Sequence, residues 1–206
     1  MFALEIYGRA RGVYRGAKLE EPTDYPVVNA DAAKSGRAVV AFGDSLTQGV
    51  GAPEGLGYPG QLAQIIGREV INRGVRGETT RDGLARLERD ILPLNPGIVL
   101  LCFGGNDLIR GRSIAETIGD IEELIGQLQR AGAMVVLLGL RGSWLYKLDL
   151  DAPTRSLARR TGCPCVPLLL DGVWGFPWLM ADHAHPNQRG YKHIAVRVAK
   201  CLKPYL

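Results

Sequence analysis

Apolar and polar positions follow two periods along this chain, and the switch between them recurs. Ala38 to Phe42 is a short unbroken apolar run with adjacent β-branched residues, the pattern of a strand buried on both faces. Ile98 to Phe103 and Met134 to Leu138 repeat it, and Glu69 to Asn72 is a shorter version. Cys165 to Leu170 is a fifth run, in which Pro167 removes a ladder donor and so suits an edge position. Between these runs the period lengthens to that of a helix. The pattern predicts helices over about Tyr58 to Ile66, over Leu84, Leu87 and Ile91 until Pro93 and Pro96 intervene, and over about Ala152 to Thr161. Ser113 and Glu116 form a capping-box pair ahead of an inward stripe of Ile114, Ile118, Ile121, Ile125 and Leu128, with Gly132 as the stop. A last helix is expected from about Pro186 to Lys203, with Tyr191, Ile194, Val198, Cys201 and Leu202 on one face. Strand alternating with helix implies right-handed βαβ units. The expected fold class is α/β: a three-layer α/β/α sandwich on a five-stranded parallel sheet.

Residues 1–36 fit this scheme least. Phe2, Leu4 and Ile6 alternate as in a short strand, a basic Gly-containing patch follows, and Glu20 to Pro26 reads as an extended linker. An added strand, a loose arm and the remainder beside a removed membrane anchor all stay open. The chain is therefore divided into an N-terminal extension, 1–36, and one domain, 37–206.

Composition narrows the classes of function. With 46% hydrophobic and 22% charged residues, 206 residues are enough for a sizeable core. A formal charge of +4, from 25 basic and 21 acidic residues, is too mild and dispersed to suggest nucleic acid. No apolar run approaches the ~20 residues of a membrane span, so stable membrane insertion is not expected. The first twenty residues carry Arg9, Arg11, Arg15 and Lys18 without an uninterrupted apolar core. As the chain stands it is expected to be a cytoplasmic monomer, or periplasmic or membrane-tethered if a leader has been removed. Cys102 and Cys201 read as small buried hydrophobes; Cys163 and Cys165 are too closely spaced for an ordinary zinc knuckle and read as thiols.

The candidate chemistry lies where apolar runs end. Gly43-Asp44-Ser45, Gly74 to Gly77, and Gly104-Gly105-Asn106-Asp107 each close a predicted strand, and Asp182 to Asn187 precedes the last helix. In a parallel sheet all C-terminal strand tips share one edge, so these segments are expected at one crevice. Gly43 permits a sharp turn with positive φ. Acyl transfer by serine needs a nucleophile, a base, a group to orient the base, and donors for an oxyanion. Ser45 is the candidate nucleophile, His185 the base, and Asp182, three residues earlier, the orienting carboxylate. The Ser45 N–H, the Gly77 N–H and the Asn106 side-chain amide are the candidate oxyanion donors, Gly77 suiting the task because it has no side chain to block approach. Blander readings accompany each: His185 as a cap of the last helix, Asn106 as a turn former, Gly77 as a turn glycine, His183 as a rival base. Asp44 and Asp107 are expected to hold their own turns, and His193 to be structural.

Together, Gly43-Asp44-Ser45-Leu46, Gly77, Gly104-Gly105-Asn106-Asp107 and Asp182-x-x-His185-Pro186 resemble the four blocks of the SGNH (GDSL-type) hydrolases, in that family's order and spacing. The resemblance spans about Val39 to Leu206 and is strongest to the bacterial branch of thioesterase I, lysophospholipase L1 and arylesterase. It implies a flavodoxin-like fold, esterase activity through the catalytic residues Ser45, Asp182 and His185, and neither cofactor nor metal. Glu78 stands where that family commonly has aspartate, and Arg76 is bulky beside the oxyanion glycine.

Leu46, Leu108, Ile109, Trp144 and Tyr146 are the principal candidates to line an acyl pocket, with Leu145, Trp174, Phe176, Trp178 and Leu179 behind them. An apolar crevice favours small-molecule substrates that are acyl or aryl esters or thioesters, lysophospholipid-like ones included. The alternatives are a carbohydrate O-acetyl esterase on the same triad and a noncatalytic lipid- or glycan-binding module.

Overall fold

Five short strands, β1 (Val39–Gly43), β2 (Val70–Gly74), β3 (Ile98–Cys102), β4 (Met134–Leu138) and β5 (Cys165–Val166), form one parallel sheet in the order β2-β1-β3-β4-β5. They come from a computed structural model that describes residues 23–140 and 149–206. The helices are α1 (Ser45–Gln48), α2 (Tyr58–Ile66), α3 (Thr80–Arg86), α4 (Gly105–Ile109), α5 (Ile114–Arg130), α6 (Asp151–Thr161) and α7 (Gln188–Leu202). This is the expected three-layer α/β/α arrangement. No described helix is long and apolar enough to cross a membrane.

Because successive strand residues face opposite sides of a sheet, the apolar runs feed two cores. Val39, Ala41, Ile98, Leu100, Met134 and Val136 pack with Tyr58 and Leu62 of α2 and Tyr191, Ile194 and Val198 of α7. Val40, Phe42, Val99, Leu101, Val135 and Leu137 pack with Ile118, Ile121, Leu124 and Ile125 of α5 and Leu157 of α6.

Three expectations change in detail. Ile114 is 42% exposed although it shares the helical face of Ile118. At 17 residues α5 is about 25 Å long, whereas a five-residue strand covers about 17 Å, so the first turn overhangs the sheet. The helix beginning at Thr80 continues as a π turn over Leu87–Ile91 and a 3₁₀ turn over Leu92–Leu94, which still bury Leu87 and Ile91. The fifth strand stops after two residues. Pro167 ends the ladder, Leu168 takes a φ of 48°, and the carbonyls of Pro167, Leu168 and Leu169 turn to the buried Arg197 guanidinium of α7.

Phe2, Leu4 and Ile6 lie outside the described residues. From residue 23 the chain runs to β1 without a strand: a 3₁₀ helix, Ala30–Lys34, buries Ala33. Asn29 Nδ2 donates to the carbonyls of Gln129 and Ala133 at 2.8 and 3.1 Å. The Tyr25 hydroxyl donates to the Cys163 carbonyl at 2.8 Å. No disulfide joins the four cysteines.

Candidate active site

The sheet register brings the polar turns to one level. Gly43 pairs with Gly74 on β2 and with Cys102 on β3, so the segments leaving all three strands start side by side. Gly43 itself is not in the positive-φ region. A Cβ there would collide with Thr47 Oγ1 and the Cys102 carbonyl, so close approach requires the glycine. Asp44 caps α1 by accepting from the Leu46 N–H at 3.0 Å, and Ser45 is the first residue of that short helix.

Residue 185 lies 140 positions later, yet His185 Nε2 is 3.0 Å from Ser45 Oγ. Its Nδ1 faces Asp182, 2.9 Å from Oδ2 and 3.1 Å from Oδ1. A carboxylate only accepts, so Nδ1 carries the proton and Nε2 is left as the acceptor for the serine hydroxyl. The loop makes the Asp182–His185 spacing work. Asp182 Oδ1 accepts the N–H groups of Ala184 and His185, each at 2.7 Å, and the Ala181 N–H donates to the His185 carbonyl at 2.9 Å. Partial burial raises the Asp182 carboxyl, but the hydrogen bonds from the His185 ring and those two N–H groups outweigh it and hold it at about 2. His185 does not cap the last helix. Asn187 does, accepting from Arg189 and Gly190 at 2.9 and 3.1 Å. His183 is exposed in the same loop, and His193 is exposed on α7.

The β2–α3 and β3–α4 turns are stitched together beside Ser45. Asn106 Nδ2 donates to the Glu78 carbonyl at 2.8 Å and lies 3.3 Å from Asp44 Oδ2, so it joins both neighbouring turns rather than forming its own. Asp107, fully buried, accepts from the Thr80 N–H and hydroxyl at 3.0 and 2.6 Å and from Arg112 at 2.6 Å. The expectation that Asp107 merely holds its own tip is therefore too local. Arg110 donates to the Gly77 carbonyl at 2.8 Å. Arg86, its side chain 7% exposed, pairs with Glu78 at 2.7 Å, donates to the Arg73 carbonyl at 2.8 Å and stacks on Phe42 with 4.6 Å to the ring centroid. Gly77 has a φ of 82°, and an added Cβ would meet nothing within 4 Å. Within the protein, conformation rather than crowding calls for glycine there.

Ser45 and His185 open into a cleft of about 160 Å³ lined by Asp44, Leu46, Gly105, Asn106, Ile109, Leu140, Leu150, Leu170, Trp174 and Ala184. Leu46, Ile109 and Trp174 were expected there. Leu108 is not among them, because, partly buried, it packs against the core that α5 covers. Phe176 and Trp178 pack together with their rings tilted by 55° and centroids 5.2 Å apart, and Leu179 is buried in the other core. Trp144, Leu145 and Tyr146 lie outside the described residues. Leu140, Leu150 and Leu170 were missed. Their place just beyond strands or before a helix was the available signal, but an isolated leucine there reads as core. Among the described residues no group of three or more His, Cys, Asp or Glu could hold a metal ion.

Three comparisons bear on this geometry. Residues 41–193 match the model of the GDSL-like lipase/acylhydrolase family. The thioesterase 1/protease 1/lysophospholipase L1 of Escherichia coli K12 is 28% identical over 173 residues, covering 81% of this chain and 83% of that protein. The arylesterase of Vibrio mimicus is 29% identical over 186 residues, covering 85% and 92%. A crystal structure of TesA superimposes with a TM-score of 0.76 at 27% identity, covering 82% of this chain and all of that one.

Proposed function

The chain belongs to the GDSL-like lipase/acylhydrolase family, as an SGNH-type carboxylic ester hydrolase, and we propose that it works through an acyl-enzyme on Ser45. The observation that carries the reading is the continuous relay from Asp182 through His185 to Ser45 Oγ at the polar end of the cleft. His185 Nε2 takes the hydroxyl proton as Ser45 Oγ bonds to the ester carbonyl carbon. Asp182 holds the tautomer and offsets the charge that forms on the imidazole. The tetrahedral oxyanion is met by the Ser45 N–H, the Gly77 N–H and the Asn106 amide. Collapse expels the alcohol or thiol, which receives the proton from His185, and water then repeats the sequence to release the acid.

The cleft wall supports a substrate class. Leu46, Leu140, Leu150 and Leu170 offer an acyl chain apolar surface and would offer a sugar hydroxyl no partner, and the Trp174 ring adds further apolar area. Acyl or aryl esters and thioesters therefore fit better than acetylated carbohydrate.

A fluorophosphonate should label wild type once and abolish turnover, and Ser45→Ala should take up none. With p-nitrophenyl esters from acetyl to palmitoyl, kcat/KM should rise with the first added methylenes, each worth up to ~0.8 kcal/mol when fully buried. Preference for acetyl esters, with acetylated sugars better still, would replace the acyl-ester reading by the carbohydrate one.

A further inference from the structure

Asp44 takes no part in the proton relay, yet it is 3% exposed and lines the cleft beside Ser45. Its two oxygens have different partners. Oδ1 accepts from the Leu46 N–H at 3.0 Å and so caps α1. Oδ2 lies 3.3 Å from Asn106 Nδ2, whose other partner is the Glu78 carbonyl at 2.8 Å. A carboxamide nitrogen carries two hydrogens. Both are held here, one on a short bond to a backbone carbonyl and one on a long bond to Asp44.

Resting on the reading of Ser45 as nucleophile and Asn106 as oxyanion donor, we propose that Asp44 is a positioning residue of the oxyanion hole. Its Oδ2 holds the second Asn106 N–H in the free enzyme and yields it to the substrate oxygen as negative charge develops there. The short bond to Glu78 fixes the amide plane, and the long bond to Asp44 fixes which way the remaining hydrogen points.

Two physical points support the exchange. A hydrogen bond to an ionised acceptor is roughly twice as strong as one between neutral groups, so an oxyanion outcompetes a neutral carboxyl at 3.3 Å. The Asp44 carboxyl is also held far above the ordinary carboxylate range, so that near pH 7 about half of it is protonated. Burial raises its carboxyl, the Leu46 N–H opposes that, and the nearby Asp107 and Glu78 charges add to it, leaving it at about 7. In its protonated form the carboxyl releases the N–H readily and places little charge beside the oxyanion.

The test is a double-mutant cycle of Asp44→Asn with Asn106→Ala, read as kcat and KM per fluorophosphonate-titrated site. Asp44→Asn keeps an oxygen for the Leu46 N–H but turns an NH2 toward the Asn106 NH2, so donor meets donor. The expected result is a kcat lower by ~10–10² with KM changed less than ~2-fold. In the Asn106→Ala background the same change should alter kcat by less than ~2-fold, because the residue through which it acts is gone. Equal losses in both backgrounds, or a wild-type kcat for Asp44→Asn alone, would overturn the proposal. If Asp44→Asn does not fold, Asp44→Ser enters the cycle instead, since serine is a good N-cap and is too short to reach Asn106. Turnover surviving Ser45→Ala sinks the underlying reading. Labelling at Ser45 with additive losses sinks only the role of Asp44.

Discussion

The two edges of the sheet are closed by different chemistry. At the N-terminal edge the acceptors are backbone carbonyls. Asn29 reaches those of Gln129 and Ala133, Arg37 that of Gly132 at 2.6 Å, and Arg68 those of Ala33 and Arg37 at 2.8 and 3.0 Å. At the C-terminal edge carboxylates join the backbone carbonyls as acceptors, with Glu78 on Arg86, Asp107 and Asp120 on Arg112, and Asp182 on His185. Removing a donor from the first edge leaves a neutral carbonyl that water can partly satisfy. Removing one from the second leaves a charge, which at Glu78 and Asp107 sits in a poorly hydrated place. Fixed dipoles and ions are what a developing transition-state charge requires, so the edge with the costlier chemistry is also the one with the serine.

The largest effect should come from the relay itself. His185→Ala is expected to lower kcat by ~10⁶, and His183→Ala by less than ~10-fold; ester hydrolysis by both variants decides it, and the reverse ranking would move the base to His183. Arg86→Met comes next. It strands Glu78 and unties the turn that carries Gly77, so urea unfolding should report a loss of ~3–5 kcal/mol, together with a lower kcat in the remaining folded enzyme. A stable Arg86→Met would show that the charges at this edge are dispensable.

The third prediction is a pH dependence of opposite sign at two carboxyls of this edge. Asp44 is at about 7 when folded and near ~3.9 when unfolded, so the native state binds the extra proton and stability falls as pH rises from ~4 to ~7. Asp44→Asn should flatten that slope in urea midpoints. Asp182, at about 2 when folded, contributes stability above ~3.9 that is lost as pH falls toward ~2. The smallest effect is expected at the other edge: Asn29→Ala should cost ~1–3 kcal/mol of stability with kcat per labelled site unchanged. A drop in kcat there would break the division between the edges.

How much of this the chain discloses depends on how local the physics is. Strand runs such as Val39 to Phe42 and the box at Ser113 and Glu116 are local patterns, and they came through. That Ser45, Asp182 and His185 come together was legible because polar groups at the ends of apolar runs stand out. Leu108 and Ile109 are both candidates for the acyl pocket, but Gly105–Ile109 is helical, so neighbouring residues diverge by about 100° around its axis. Ile109 is left 64% exposed at the cleft while Leu108, partly buried, packs against the core. Arg86 and Arg112 gave no signal, because a buried arginine and a surface one look alike until the fold brings carboxylates to them. The segment before β1 was unreadable for a similar reason: its partners are backbone carbonyls, which every sequence supplies.

The 140-residue separation between Ser45 and His185 also bears on biosynthesis. On the proposed mechanism a nascent chain emerges with Ser45 early, while the imidazole that would activate it arrives with the loop ahead of α7, whose Tyr191 and Ile194 share a core with Tyr58 and Leu62 of α2. On that mechanism Ser45 is until then an ordinary alcohol, unable to attack esters near the ribosome. Reactivity toward a fluorophosphonate should therefore appear only at the last docking step, which makes the serine a built-in reporter of completed folding.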